Sequence, residues 1–472
     1  MRAVATLLRD ASFAEQIEYR RRRARSAYEP FCPRSGAALA GAADRDRLVD
    51  LLHDAAPVPD GFDPSLSRVL AEAGLIEDSA PGRWELTAFR GVIAARDRAG
   101  GGQVYIGEDS LRFVDTILDA APRGLALDVG AGSGITACAL ARSADRVISV
   151  DVVAEAVRAT TLSAALNGVT DRVRPTLGRF QEIELPRRLN CIAANLPYVP
   201  VPDGFAYSPA GNGGPDGLAL IRTLLEQAPE MLDPRDGTLV MRFQSLGDEN
   251  DLLLLPDLRR FATQTGFDVT VTVDGRVPYE VRAALTALLA EARNPDRDRA
   301  QLLQATTAHL RSFGLSSFLA CGLVARSGGT GEVNVVHLRP ASVLDRHLVP
   351  ARRLPDVLAA RNEIGADYWR AARDLPDGFG ELGDVQHVRA PIDRIDEFVG
   401  ALADGFTVRA AADRVFADLV AVDPLRSRAL LVTAELLAEQ LLHAGLVTLS
   451  GDHQAAGSRH HGEHSTRATA AR

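Results

Sequence analysis

The sequence contains no lysine: all 53 basic residues are arginine, against 62 aspartates and glutamates, for a net charge of −9. A chain that is acidic overall does not read as a phosphate-backbone binder, so nucleic acid is not the expected partner. Arginine-only usage points to a GC-rich, bacterial genome and carries no mechanism by itself. Cysteine is scarce too. Cys32, Cys138, Cys191 and Cys321 stand too far apart for a zinc spacing or a disulfide framework, which favours a reduced, cytoplasmic chain without a metal site. No apolar run reaches the ~18 residues of a spanning helix. The opening stretch to Asp10 is too short and too charged for a signal peptide, so neither membrane insertion nor secretion is expected. Wholesale disorder is excluded as well, because 46% hydrophobic residues over 472 positions can fill more than one core. At roughly 150 residues per domain the length allows about three domains.

From about 42 to 87 the pattern reads helix, turn, helix, then strand-like runs at Leu75-Ile76 and Trp84-Glu85-Leu86, with Gly74 placed as a left-handed cap. This predicts a small helical, winged-helix-like domain with one β-hairpin over 1–100. Gly100-Gly101-Gly102 then reads as a linker. Apolar runs at 125–129, 147–151, 191–194, 238–243 and 269–273 alternate with helical stretches, the signature of βαβ units and a parallel sheet. Runs at 318–325 and 332–338, around Gly328-Gly329, predict a closing hairpin that ends a domain spanning 101–340. A helical insertion near 280–312 has no evident role from sequence. A helical domain is expected over 341–450 and a disordered tail over 451–472. Leu442 to Val447 echoes Leu70 to Ile76, either because both are glycine-capped helices running into a strand or because a module is repeated.

The chemistry begins after the first strand of the central domain, at Asp128-Val129-Gly130-Ala131-Gly132-Ser133-Gly134-Ile135. Glycines where a helix begins let the backbone approach a bound nucleotide. A dinucleotide fingerprint would need a further glycine where Ile135 stands, so the spacing is G-x-G-x-G instead. Asp151 ends the next strand, where a carboxylate can accept from ribose hydroxyls.

This run resembles the cofactor site of the class I S-adenosylmethionine-dependent methyltransferases, over roughly 104–338. The resemblance implies an α/β, Rossmann-like, seven-stranded sheet with a closing antiparallel hairpin, and S-adenosylmethionine as cofactor. It assigns Asp128, Gly130, Gly132 and Gly134 to the methionine part and Asp151 to the ribose. The acidic residue that usually receives the adenine amine would fall near Gly178-Arg179-Phe180. Arg179 is a donor only, so adenine is left to backbone contacts or to stacking on Phe180.

The fourth strand ends in Asn195-Leu196-Pro197-Tyr198. It resembles the Asn-Pro-Pro-Tyr and Asn-Leu-Pro-Tyr motifs of methyltransferases that act on planar nitrogens, adenine amines and glutamine amides. Gly213-Gly214-Pro215-Asp216-Gly217-Leu218 resembles the segment that follows this motif in release-factor glutamine methyltransferases, although Asp216 also suits a helix cap. An amide or aromatic amine shares its lone pair with a π system. It attacks a sulfonium methyl well only when acceptors grip its hydrogens and the lone pair is aimed in line. Asn195 through its side-chain oxygen and Leu196 through its carbonyl are the expected acceptors, with Tyr198 stacking on the planar group and Pro197 stiffening the turn.

Leu196 replaces the proline of the glutamine branch, and the N-terminal region does not look like that branch's helical bundle. The expected function is therefore nitrogen methylation, with a specialised small metabolite as the first-choice acceptor and protein glutamine or nucleic-acid adenine as others. Two further readings are a methyltransferase fold recruited to non-methyl chemistry such as amine cyclisation, and a non-catalytic nucleic-acid binder. A partner protein or a homo-oligomer fits the flanking domains. The arginine run at 20–25 reads as a solvated face or an acidic-partner contact, and His337 and His387 as structural.

Overall fold

In a computed structural model of the chain, residues 2–10, 13–14, 17, 51–53, 64–77, 80–98, 104–186, 188–248, 251–338, 346–351, 394–417, 424–443 and 446–449 are described. The arginine run, the triple glycine, Cys32, His387 and the C-terminal tail lie outside them. By internal contact the chain divides into two units, 1–339 and 340–472.

The first unit opens with α1 (Arg2–Asp10) and α2 (Pro64–Glu72) and two antiparallel pairs, β1 (Ile76–Glu77) with β2 (Ala80–Pro81) and β3 (Trp84–Phe89) with β4 (Val92–Asp97). The single hairpin expected between 75–76 and 84–86 is thus corrected to two, each strand pairing with its immediate neighbour. Arg90 and Gly91 both adopt positive φ, at 51° and 75°, which closes a two-residue turn and returns the chain along β3. Then follow α3 (Glu108–Ala120), β5 (Leu125–Val129), α4 (Ile135–Leu140), β6 (Arg146–Asp151), α5 (Ala154–Leu166), β7 (Val173–Leu177) and β8 (Cys191–Asn195). Next come α6 (Ala219–Met231), β9 (Thr238–Gly247), α7 (Leu255–Thr265), β10 (Asp268–Pro278), α8 (Tyr279–Glu291), α9 (Arg299–Arg311), β11 (Ser317–Arg326) and β12 (Val333–His337).

The N-terminal hairpin does not stand apart as a domain. Asn167, just past α5, clamps Ile93, accepting its N–H at 3.0 Å and donating to its carbonyl at 2.6 Å, while Ser163 Oγ accepts from Ala95 N at 3.0 Å. Leu86, Ala88, Ile93 and Ala95 share one core with Leu162 and Leu166 of α5. Burying this face against α5 joins the hairpin to the sheet domain, so the boundary expected near residue 100 lies inside the 1–339 unit.

The central sheet has eight strands, not seven, in the order β7-β6-β5-β8-β9-β11-β10-β12. Its five strands from β5 to β9 run parallel, and β11 lies antiparallel between β9 and β10. The expected closing hairpin of 318–325 with 332–338 does not form. Both edges of β11 are taken, Phe318 pairing with Leu246 on one side and Val277 on the other. β12 therefore adds parallel to the outer edge of β10, from Val269↔Val333 to Val273↔His337. Asp268 fixes that crossing: its Oδ1 accepts from the backbone N–H groups of Thr330, Gly331 and Glu332 at 2.8, 3.1 and 3.1 Å.

One face of the sheet packs on α6 and α7 through residues such as Phe243, Leu224 and Leu258. The other packs on α3 and α4 through Phe113, Ile117, Ala137 and Val240. Because β5, β6, β8, β9 and β10 all point the same way, their carboxyl ends share one edge. The order reverses on either side of β5, which opens a crevice above its end, the place where open α/β sheets bind ligands. Cys138, Cys191 and Cys321 are buried and free, and no cluster of metal-ligating side chains occurs among the described residues.

In the second unit, β13 (Leu348–Pro350) pairs antiparallel with β14 (Val447–Leu449), and α10 (Ile395–Ala403), α11 (Val408–Val415) and α12 (Pro424–His443) enclose a core containing Phe398, Phe416 and Leu437. Like α2, α12 runs on into a short strand.

Candidate active site

The glycine turn lies at the crevice. Gly130, Gly132 and Gly134 all take positive φ (80°, 52° and 78°), and the turn folds back so that Gly130 N and Ala131 N both donate to Val150 O, at 2.9 and 3.0 Å. Gly134 is required by packing as well: a β-carbon there would sit 2.6 Å from Thr160 Cα on α5. Asp151 braces the turn from the neighbouring strand, its Oδ2 accepting from Gly132 N at 2.9 Å and its Oδ1 from Val153 N at 2.8 Å. Burial raises its pKa against the backbone N–H bonds that favour the carboxylate. Each oxygen retains a second lone pair, so the carboxylate can brace the loop and still accept from a diol.

Asp128 lies beneath the turn, 1% exposed, with Oδ2 accepting from Ser149 Oγ at 2.7 Å. Burial pushes its pKa up to about 7, opposed by the Ser149 bond and reinforced by the charge of Asp151. A buried carboxylate of this kind is stabilised by a cation arriving above it. Beyond Asp151, Val152 is 60% exposed and Leu177, at the end of β7, 56% exposed. They form exposed apolar surface beside Asp151 at the carboxyl ends of β6 and β7. Phe180 is buried in the core, 7% exposed, and Arg179 is exposed beside Glu182 at 3.6 Å.

The acceptor motif touches the glycine turn. A β-carbon at Gly130 would meet Leu196 Cδ2 at 3.6 Å and Asn195 O at 3.7 Å. Asn195 ends β8, and its Nδ2 donates to Asp109 Oδ2 at 2.9 Å, from the first turn of α3. Its Oδ1 is buried without a hydrogen-bond partner, as is Asp109 Oδ1. Tyr198 is half-buried, and Gln244 Nε2 donates to its hydroxyl at 3.4 Å. Arg242, the strand neighbour of Asn195, is held by a bidentate pair to Asp274 at 2.7 and 2.8 Å.

Gly213 to Leu218 forms one structural unit with the motif. Val199 N donates to Gly211 O and Gly213 N to Val199 O, at 2.8 and 3.0 Å, and a β-carbon at Gly217 would lie 2.3 Å from Tyr198 O. Asp216 does cap, accepting from Leu218 N at 3.0 Å, and also pairs with Arg222 at 2.5 Å. Asp109, Gln244 and Arg242 were not singled out from sequence. Asp109 stands 86 positions from Asn195, and no local spacing links them.

Fold, glycine turn and the 195–198 motif together resemble a class I S-adenosylmethionine-dependent methyltransferase domain, and the release-factor glutamine branch in particular. Residues 100–197 match the family model described as ribosomal protein L11 methyltransferase (PrmA). Two proteins named release factor glutamine methyltransferase are similar. The one from Thermosynechococcus vestitus is 35% identical over 23% of this chain and 42% of its own length, and the one from Geobacter sulfurreducens 30% identical over 32% and 63%. A protein named ribosomal protein L11 methyltransferase, from Geobacter sp., is 39% identical over 15% of this chain and 22% of its own. The chain thus spans less than two thirds of the length of these relatives. Among solved structures, Trm5b from Pyrococcus abyssi is 20% identical over 52% of this chain and 58% of its own, at a TM-score of 0.33, a likeness on which no functional conclusion rests.

Proposed function

We propose that the protein transfers the methyl group of S-adenosylmethionine to a planar amide nitrogen, with a protein glutamine side chain as the acceptor class. The observation that carries this reading is the buried, unpartnered Oδ1 of Asn195, a residue whose backbone carbonyl lies against the glycine turn. An unsatisfied buried acceptor costs roughly 1–3 kcal/mol, and an amide N–H presented by a substrate removes that cost. The relatives named for release factor and ribosomal protein L11 support a protein acceptor over the specialised metabolite considered from sequence.

Asp128, the glycine turn and Asp151 would hold the methionine and ribose parts of the cofactor and Val152 and Leu177 would flank the base, whereas Phe180, buried in the core, would not stack on it; the cofactor would supply an activated methyl on a sulfonium. Asn195 Oδ1 and the Leu196 carbonyl take the two amide hydrogens, Pro197 fixes the turn, and Tyr198 lies on the amide plane. Gripping both hydrogens would aim the nitrogen lone pair at the methyl carbon, so that the N–C bond forms as the S–C bond breaks, S-adenosylhomocysteine leaves and the surplus proton on nitrogen is lost to water after transfer; such orientation supplies up to ~7–11 kcal/mol of the barrier without a general base before transfer. The test is incubation with methyl-labelled S-adenosylmethionine and, in turn, a peptide release factor and ribosomal protein L11, followed by peptide mass spectrometry. A labelled glutamine supports the reading. Label on neither protein removes the protein-acceptor assignment.

A further inference from the structure

Helices α8 and α9 interrupt the sheet at a telling place. They leave β10 at Pro278 and return to β11 at Ser317, residues that pair with each other, so the helical pair rises from the edge that carries the glycine turn and Asn195. It grips the loop that follows Tyr198 at three points. Asn294, between the two helices, accepts from Ala206 N at 3.0 Å and donates to Ala206 O at 2.8 Å. Arg297 stacks 4.6 Å from the Phe205 ring, and His309 Nε2 lies 2.5 Å from Pro215 O. From the first turn of α8, Arg282 donates to Gln244 Oε1, and Gln244 in turn donates to the Tyr198 hydroxyl.

Arg282 is 6% exposed and stacks 4.6 Å over Phe318, yet among the described residues no carboxylate pairs with it, and its Nε is buried without a partner. The neighbouring buried arginine is different: Arg242 has a bidentate carboxylate in Asp274. A guanidinium held out of water costs several kcal/mol unless an anion compensates it, and planar, fork-shaped donors suit a carboxylate.

We propose that α8 and α9 are the acceptor-recognition element of the site and that Arg282 binds a carboxylate carried by the acceptor, close to the methylated amide. This rests on the amide-acceptor reading only for the amide. The carboxylate site is testable without it. The probes are N-acetyl-L-glutamine, its neutral counterpart N-acetyl-L-glutaminamide, and glutarate, which has carboxylates and no amide. Each is titrated calorimetrically into the full chain saturated with S-adenosylhomocysteine.

N-acetyl-L-glutamine is expected to bind the wild type about tenfold more tightly than the neutral amide, the scale of one charge-assisted hydrogen bond. Arg282→Gln should abolish that preference and the binding of glutarate, Arg282→Lys should retain part of both, and S-adenosylhomocysteine affinity should stay within about twofold in each variant, which reports an intact fold. Equal binding of charged and neutral probes, no binding of any probe, or a carboxylate preference that survives Arg282→Gln overturns the proposal. Arg282-dependent glutarate binding, with no methylation of either glutamine probe in a parallel incubation with S-adenosylmethionine, keeps the carboxylate site and counts against the amide reading.

Discussion

Asp109 and Asn195 are joined by one hydrogen bond of 2.9 Å, and that bond decides which atom of the Asn195 amide is offered to a substrate. A carboxylate only accepts, so the nitrogen must face Asp109 and the oxygen must face away from it. Donation to a charged partner also polarises the amide and makes its oxygen a stronger acceptor. In the proposed function Asp109 is thus a positioning residue for the acceptor contact.

Replacing it with alanine frees the Asn195 amide to rotate. Asp109→Ala is expected to lower turnover by up to about 100-fold with S-adenosylmethionine affinity unchanged. Asp109→Asn, which keeps an oxygen that can accept from Nδ2, should recover part of that loss. Single-turnover kinetics beside calorimetric cofactor binding check the split. A loss of cofactor affinity that parallels the loss of rate would assign Asp109 to the cofactor site instead.

Asp151 braces Gly132 and Val153, and the proposed function gives it the ribose hydroxyls as further partners. Asp151→Ala should weaken S-adenosylmethionine binding by about 1–3 kcal/mol, measured by titration calorimetry. Unchanged affinity contradicts the ribose assignment.

Asp128 gives a pH signature. Its folded-state pKa, about 7, lies above the ordinary carboxylate value because the group is buried. A raised acid pKa means the native state holds a proton that the unfolded chain has released. The contribution of Asp128 to stability is therefore full below the ordinary range near 4 and is lost as pH rises through about 7. Chemical denaturation of the cofactor-free protein across that window should show the decline, and Asp128→Asn should flatten it. Cofactor affinity should run the other way in the wild type, rising with pH as the carboxylate ionises beneath a cationic ligand.

Gly217 joins the two halves of the acceptor motif. With φ at 79° and a β-carbon position 2.3 Å from Tyr198 O, it tolerates no side chain without displacing the Tyr198 backbone. Gly217→Ala is expected to lower the melting temperature and to raise the acceptor KM while cofactor affinity holds. A variant indistinguishable from wild type in melting and in KM contradicts the coupling of the two segments.

The parts of the fold that local pattern can encode were legible in the sequence. Alternating apolar runs gave the parallel strands, and the glycine turn with Asp128 and Asp151 was placed from residue type and spacing alone. What eluded the sequence was pairing at a distance. Nothing in the 318–338 segment says that β11 has both edges filled, so a local hairpin was expected where β12 crosses to the far side of β10. The same holds in the site. Asn195 and Tyr198 carry a recognisable motif, whereas Asp109, Gln244 and Arg282 reach them from α3, β9 and α8 only once the chain is folded.

The most direct measurement is the attachment point of the transferred methyl. With 13C-methyl S-adenosylmethionine and the acceptor identified by labelling, heteronuclear NMR of the purified product distinguishes a carbon bonded to nitrogen from one bonded to oxygen or carbon. The account predicts one labelled methyl on an amide nitrogen, formed by wild type and strongly reduced in Asn195→Ala. A methyl on oxygen or carbon, or consumption of an acceptor with no methyl gained, would contradict it.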